Sequence, residues 1–265
     1  GFVLGAYDRS RPLTIDPLLQ STYLGGDGSD TAWALAIHPV SGEVYVAGET
    51  SSTDLPGIGG TSQDVKGAAI DAFVSRFNPE LTTRLQSTYL GGSDNDFAYA
   101  IAIHPITGEV YLAGATFSID LPGVSGGAQS TGSLGYDVFI SRFNAQLTTR
   151  LQSTFLAGNG DDTARAVAIH PVTGDVYVAG NTTSSDLPGV AGGAQAVKGA
   201  GNDGFVSRFN AQLTTRLQST YLGAVGADIA RAVAIHPLSG EVYVAGQTAS
   251  PDFPGVAGGA QATYG

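Results

Sequence analysis

The chain repeats itself every 66 residues, and a period of that kind limits the architecture before any local propensity is weighed. Leu-Gln-Ser-Thr begins at Leu19, Leu85, Leu151 and Leu217, and Val-Tyr-Val/Leu-Ala-Gly begins at Val44, Val110, Val176 and Val242. Phe-Val/Ile-Ser-Arg-Phe-Asn occurs at Phe73, Phe139 and Phe205. No linker interrupts the pattern, so the reading is one domain over residues 1–265.

Each repeat reads as four strands. In the first they are Asp30–Ile37, Val44–Ala47, Phe73–Phe77 and Leu85–Leu90. These are short runs rich in Val, Ile, Phe, Tyr and Thr, bounded by Gly, Pro and Asn. His38–Glu43 and Asn78-Pro79-Glu80 read as turns. Strict alternation places Ala32, Ala34 and Ala36 on one face and Trp33, Leu35 and Ile37 on the other. Four short antiparallel strands repeated in tandem predict an all-β fold, a β-propeller of four blades, because radial stacking buries blade faces that no blade buries alone. Small alanines suit inner strands that converge on an axis.

The blades read as 18–83, 84–149, 150–215 and 216–265, the last completed by 1–17. The fourth repeat lacks its third strand, and Gly1-Phe2-Val3 matches Gly204-Phe205-Val206. The expectation is therefore a ring closed by the N-terminal strand. A segment of a larger propeller and two chains sharing an eight-bladed ring are the alternatives.

Composition narrows the function classes. The chain has no cysteine, which removes disulfides, thiolate metal sites and cysteine nucleophiles. Its net charge is −11 with 12 basic residues, which argues against a phosphate-tracking nucleic-acid surface. No apolar run reaches the length of a helical membrane span.

The unit Ser21-Thr22-Tyr23-Leu24-Gly25-Gly26, Asp30, Ala36-Ile37-His38, Gly42–Gly48, Asp54-Leu55-Pro56 and Phe73–Phe77 resembles the bacterial β-propeller repeats called SBBP. That resemblance implies a propeller in a secreted or cell-surface bacterial protein, often part of a larger chain. It implies no catalytic residue.

Successive strands run up and down, so Gly25–Thr31 and the long loop from about Glu49 to Asp71 share one face. Long loops on a rigid scaffold are the usual place for binding residues. The lead-in loops are acidic. Asp27, Asp30, Asp94, Asp96, Asp161 and Asp162 are candidate calcium ligands, hard oxygens with Asn, Ser and Gly around them. The recurring Asp30, Asp96, Asp162 and Asp228 also suit turn capping. A second set, Asp54, Asp120, Asp186 and Asp252, precedes Pro and reads as loop-ordering. His38, His104, His170 and His236 read as structural turn residues.

One inner-strand position changes in kind while its neighbours do not: Trp33, Tyr99, Arg165 and Arg231. Aromatic and arginine side chains are common binding hot spots. Arg76, Arg142 and Arg208 are expected to pair with a repeated Asp. No nucleophile elbow or phosphate loop is present.

These features predict a non-catalytic extracellular interaction module, such as an adhesin, surface coat or assembly subunit. Its partner would be a protein or a surface polysaccharide, with self-association included. A multivalent carbohydrate-binding propeller is the alternative, and an enzyme with a site in the central channel is a third reading.

Overall fold

The computed structural model describes residues 20–67 and 69–265. Among them are fourteen strands and no helix: β1 (Asp30–Ile37), β2 (Val44–Thr50), β3 (Asp71–Phe77), β4 (Arg84–Leu90), β5 (Asp96–Ile103), β6 (Val110–Thr116), β7 (Asp137–Phe143), β8 (Arg150–Leu156), β9 (Asp162–Ile169), β10 (Val176–Thr182), β11 (Asp203–Phe209), β12 (Arg216–Leu222), β13 (Asp228–Ile235) and β14 (Val242–Thr248). They form four antiparallel sheets. Three hold four strands in sequence order, and the fourth holds β13 and β14. The all-β, repeated architecture is as the period implies.

The core lies between the sheets. Tyr45, Ala47, Val74 and Leu90 of the first sheet are buried with Leu112, Phe139, Phe143 and Phe155 of the second. Tyr111, Ala113 and Ile140 of the second are buried with Val178, Phe205 and Tyr221 of the third. The connecting turns latch each sheet to the one before it. Leu147 and Leu213 lie in the β7–β8 and β11–β12 turns with φ of 61°, a left-handed conformation unusual for leucine. Both are fully buried. Their carbonyls accept the backbone N–H groups of Ser62 and Ala128 from the preceding sheet's long loop, at 3.2 and 2.9 Å. Tyr45 and Tyr111 donate to the carbonyls of Ala145 and Ala211 in the same turns, both at 2.7 Å.

One expectation needs correction. The three alanines of each inner strand do not share a face. The ladder slips between Ala32 and Ala34, so Ala32 opposes Gly48 and Ala34 opposes Ala47. The same bulge recurs at Ala98/Ala100 and Ala230/Ala232, and opposite Ala179/Gly180 in the third sheet. An extra residue reverses the alternation. Accordingly Ala98 is buried against the first sheet and Ala100 against the third. The bulge also explains the invariant glycine of the second strand, since a Cβ on Gly48, Gly114, Gly180 or Gly246 would collide with the carbonyl of residue 31, 97, 163 or 229.

Among the described residues the inner strands pack consecutively, β1 on β5, β5 on β9 and β9 on β13, and no comparable packing joins β13 to β1. The expected closing strand, residues 1–17, lies outside the described residues. Among the described residues both end sheets keep open flanks. Ile101 and Ile103 pack against the first sheet, and Val167 and Ile169 do the same between the second and third. Their counterparts Leu35 and Ile37 in β1 are 66% and 62% exposed.

Candidate functional site

The bulge residue of each inner strand is Trp33, Tyr99, Arg165 or Arg231, the position at which the repeats differ in kind. A bulge releases a residue from its ladder and re-aims its side chain. Because the sheets stack with the same register, these side chains come into line. The Trp33 and Tyr99 rings meet edge to face with centroids 5.8 Å apart. The Arg165 guanidinium lies over the Tyr99 ring at 5.0 Å, a cation–π distance. Tyr99 is half-buried between Glu49 and Arg165, and burial pushes its hydroxyl pKa up. Trp33 is 53% exposed.

Three members of the row are steadied by the residue 16 positions later on the neighbouring strand. Trp33 Nε1 donates to Glu49 Oε2 at 3.0 Å. Arg165 Nε donates to Asn181 Oδ1 at 3.3 Å, and Arg231 donates through two nitrogens to Gln247 Oε1 at 3.1 and 2.8 Å. The second sheet has Ala115 there and instead adds aromatics. Phe97 stacks on Tyr99 at 5.9 Å, and Tyr136 bridges Phe97 and Phe117 at 6.1 and 4.2 Å. The result is a ledge, aromatic over the first two sheets and cationic over the third and fourth.

Sequence reading found the bulge row but missed Phe97, Phe117, Tyr136, Glu49, Asn181 and Gln247. The signal was present. Positions 31, 97, 163 and 229 hold Thr, Phe, Thr and Ile, and positions 49, 115, 181 and 247 hold Glu, Ala, Asn and Gln. Variation inside a near-identical repeat marks the same ledge.

The acidic loops are built differently from a calcium site. Asp30 accepts from the Gly26 N–H, the Thr50 hydroxyl and the Ser52 hydroxyl. Asp96 does the same with Gly92, Thr116 and Ser118, and Asp162 with Gly158, Thr182 and Ser184. Asp228 accepts from Ala224 and Ser250. Donors of this kind fill the lone pairs that a cation would need. The outer acids are scattered: Asp27 accepts from the Thr53 N–H, Asp94 from the Asn95 N–H and Asp161 from the Tyr136 N–H. No group of three His, Cys, Asp or Glu able to hold a metal occurs among the described residues. The calcium expectation therefore gives way to turn organisation. Asp96 and Asp162 are fully buried, and desolvation pushes each carboxyl up to about 6.

The second aspartate set works with the first. Asp54, Asp120 and Asp186 accept the backbone N–H groups of Asp27, Ser93 and Asn159 at 2.7, 2.9 and 2.8 Å, tying the lead-in loop to the long loop. That places both loops on one face, as expected.

The histidines are turn residues. His38 Nδ1 accepts from Val40 and Ser41, and its Nε2 stands where a Cβ on Gly108 of the next repeat would fall. The arginine expectation is corrected in part. Arg142 pairs with Glu109 at 2.7 Å and Arg208 with Asp175 at 2.5 Å, while Arg76 lies 3.9 Å from Glu43. The partner is the acid just before the second strand, Glu in two of these repeats and Asp in one.

No family model matches the chain, and no curated protein does. Two solved structures of Sqt1 from Chaetomium thermophilum are similar to it at 13% and 12% identity. They cover 83% and 84% of this chain and 68% and 69% of theirs, with TM-scores of 0.33 and 0.29. A likeness that small carries no argument about what this chain binds.

Proposed function

We propose that the four sheets are blades of a propeller larger than four, and that the chain is a non-catalytic binding module whose ligand lies along the bulge ledge. The observation that carries the reading is the alignment of Trp33, Tyr99 and Arg165, with ring centroids 5.8 Å apart and the guanidinium 5.0 Å over the second ring. The scaffold is repeated almost residue for residue, yet the side chains that come into line on it differ. A surface built for packing alone has no need of that difference.

The ledge suits an extended surface polymer such as a polysaccharide. Sugar faces stack on aromatic rings, and Glu49, Asn181 and Gln247 supply hydroxyl partners close by. Arg165 and Arg231 suit an acidic substituent. The binding reading is favoured over a channel enzyme because the row presents aromatic, amide and guanidinium groups and holds no paired acid and base. The secreted or cell-surface setting rests on the resemblance of the repeats to SBBP units.

Trp33 is the single tryptophan of the chain, so its emission reports on the ledge directly. Titration with a panel of neutral and acidic polysaccharides is expected to shift that emission for at least one polymer. Trp33→Ala is expected to weaken the same binding, measured by calorimetry, roughly tenfold or more, as truncation of an aromatic hot spot does. A panel that leaves the emission unchanged, while a protein partner perturbs it, overturns the polymer reading.

A further inference from the structure

The tight turns that join the first and second strands of each sheet carry an apolar residue where turns ordinarily carry a polar one. All four read His-Pro-X-Ser/Thr-Gly, and X is Val40, Ile106, Val172 or Leu238. The turn closes without that side chain. In the first sheet the Gly42 N–H donates to the His38 carbonyl at 3.0 Å, and the His38 N–H to the Glu43 carbonyl at 2.8 Å. His38 Nδ1 accepts the N–H groups of Val40 and Ser41. None of the four aliphatic side chains enters a buried cluster. Ile106 and Val172 are 76% and 77% exposed although their sheets are flanked on both sides, so their exposure does not come from a place at the end of the row.

The tips stand side by side. Nε2 of His38, His104 and His170 lies where a Cβ on Gly108, Gly174 or Gly240 would fall, so each turn packs on the next. Single apolar residues scattered over a surface are ordinary, but a contiguous row of them marks an interaction site. Charge decides what such a row can meet. At this end of the sheets Glu43, Glu109 and Asp175 have Arg76, Arg142 and Arg208 as ion-pair partners. At the opposite end Asp27, Asp54, Asp94, Asp120, Asp161 and Asp186 are exposed, and none has a cationic partner among the described residues. In a chain of net charge −11, the lead-in face therefore repels a second copy, and the tight-turn face is the one on which like charge opposes contact least.

We propose that two copies of this chain join through these turns, tight-turn face to tight-turn face, about a two-fold axis. An isologous contact uses the same patch on both partners. A row of near-equivalent tips suits it, because such a row reads alike in either direction. The aliphatic tips of one row settle between those of the other, with the two flanked tips, Ile106 and Val172, at the centre. The join also orients the ledge. Trp33 and its partner Glu49 lie in the half of β1 and β2 nearer the lead-in loop, away from the turn. The two ledges of the dimer therefore stand clear of the interface. On the reading of the ledge as a polymer site, which this consequence rests on, the dimer binds polymer at two places and gains avidity without any new contact. The join itself does not depend on that reading.

Sedimentation of the unmodified chain at micromolar concentration, with no polymer present, is expected to show twice the chain mass of 26.9 kDa. The dimer is expected to persist at about 1 M salt, where ionic contacts are screened within about 3 Å. A monomer at every concentration overturns the join. So does a monomer that co-sediments with phosphatidylcholine vesicles, which assigns the tips to a lipid surface. Ile106→Asp/Val172→Asp places charge on two exposed tips, so far-UV circular dichroism is expected to stay unchanged while the dimer dissociation constant rises tenfold or more. Ile106→Ser/Val172→Ser removes the same apolar tips without adding charge and is expected to act in the same direction. Unchanged association in both variants overturns the assignment of the join to these turns. Ile119→Asp alters an exposed apolar residue of a long loop and is expected to leave association as it was. An equal loss there also overturns the assignment, since added charge anywhere would then suffice.

Discussion

The second and fourth sheets begin with the same strands and end in different physical states. β6 and β14 read Val-Tyr-Leu-Ala-Gly and Val-Tyr-Val-Ala-Gly. Every residue of β6 is buried, whereas Tyr243 and Val244 of β14 are 57% and 37% exposed. Tyr111 reaches the turn of the next sheet, whereas among the described residues the Tyr243 hydroxyl donates to Glu241 of its own sheet. An apolar strand therefore does not define a core here. The neighbouring sheet does, and each repeat is stable to the extent that it is flanked.

The contrast is broken most directly at the equivalent tyrosines. Tyr111→Ala is expected to cost about 3–5 kcal/mol in denaturant unfolding, the usual range for emptying a large aromatic site. Tyr243→Ala is expected to cost less than about 1 kcal/mol, as exposed positions do. Equal costs would mean that the fourth sheet is covered within one chain.

The turns give the next effect. Leu147 is fully buried, but Leu81, its counterpart in the first sheet, is only half-buried. Leu147→Ala is expected to cost about 2–4 kcal/mol by chemical denaturation, and Leu81→Ala clearly less. Both leucines have positive φ, so backbone strain cancels between the two and burial alone is compared.

A smaller, graded effect comes from the buried aspartates. Asp96 and Asp162 have folded-state carboxyls raised to about 6 by desolvation, against about 3.9 for a free aspartate. The folded state therefore binds these protons more tightly. Their contribution favours folding as pH falls from about 7 towards 4 and is lost as pH rises through 6. Asp27 and Asp120 act in the opposite sense, because hydrogen bonds from backbone N–H groups hold them below the ordinary value. The support they give is present above about pH 4 and lost in stronger acid. Thermal melts are expected to show a higher midpoint at pH 5 than at pH 7.5, with Asp96→Asn flattening the difference. A midpoint that falls steadily from pH 7.5 to 5 would refute this.

The smallest stability effect is expected at the ledge. Trp33→Ala should change unfolding free energy by less than about 1 kcal/mol, since Trp33 is half exposed and lies outside the buried clusters. A larger loss would make the row a structural spine.

Much of this was legible in the sequence. The period, the four strands per repeat, the two turns and the pairing of the loop faces follow from Pro, Gly and Asn punctuation around apolar runs. The row Trp33, Tyr99, Arg165 and Arg231 was legible as variation within a repeat. The bulge beneath it was not. An extra residue leaves composition and period unchanged and shows only in the ladder, where Ala34 pairs with Ala47 in place of the residue that strict alternation implies. The aspartates were legible as turn residues, but beyond the local N–H groups, partners such as Thr50 for Asp30 and the Asp27 N–H for Asp54 lie 20 and 27 residues away, across loops whose course no local pattern fixes.

The sequence by itself determined that the chain makes four copies of one antiparallel unit, because each 66-residue stretch carries the same strand and turn signals. Tertiary structure alone decided which copies are buried and which unlike side chains meet. Those outcomes depend on contacts between units, and a repeat encodes the same contact surface whether or not a neighbour occupies it.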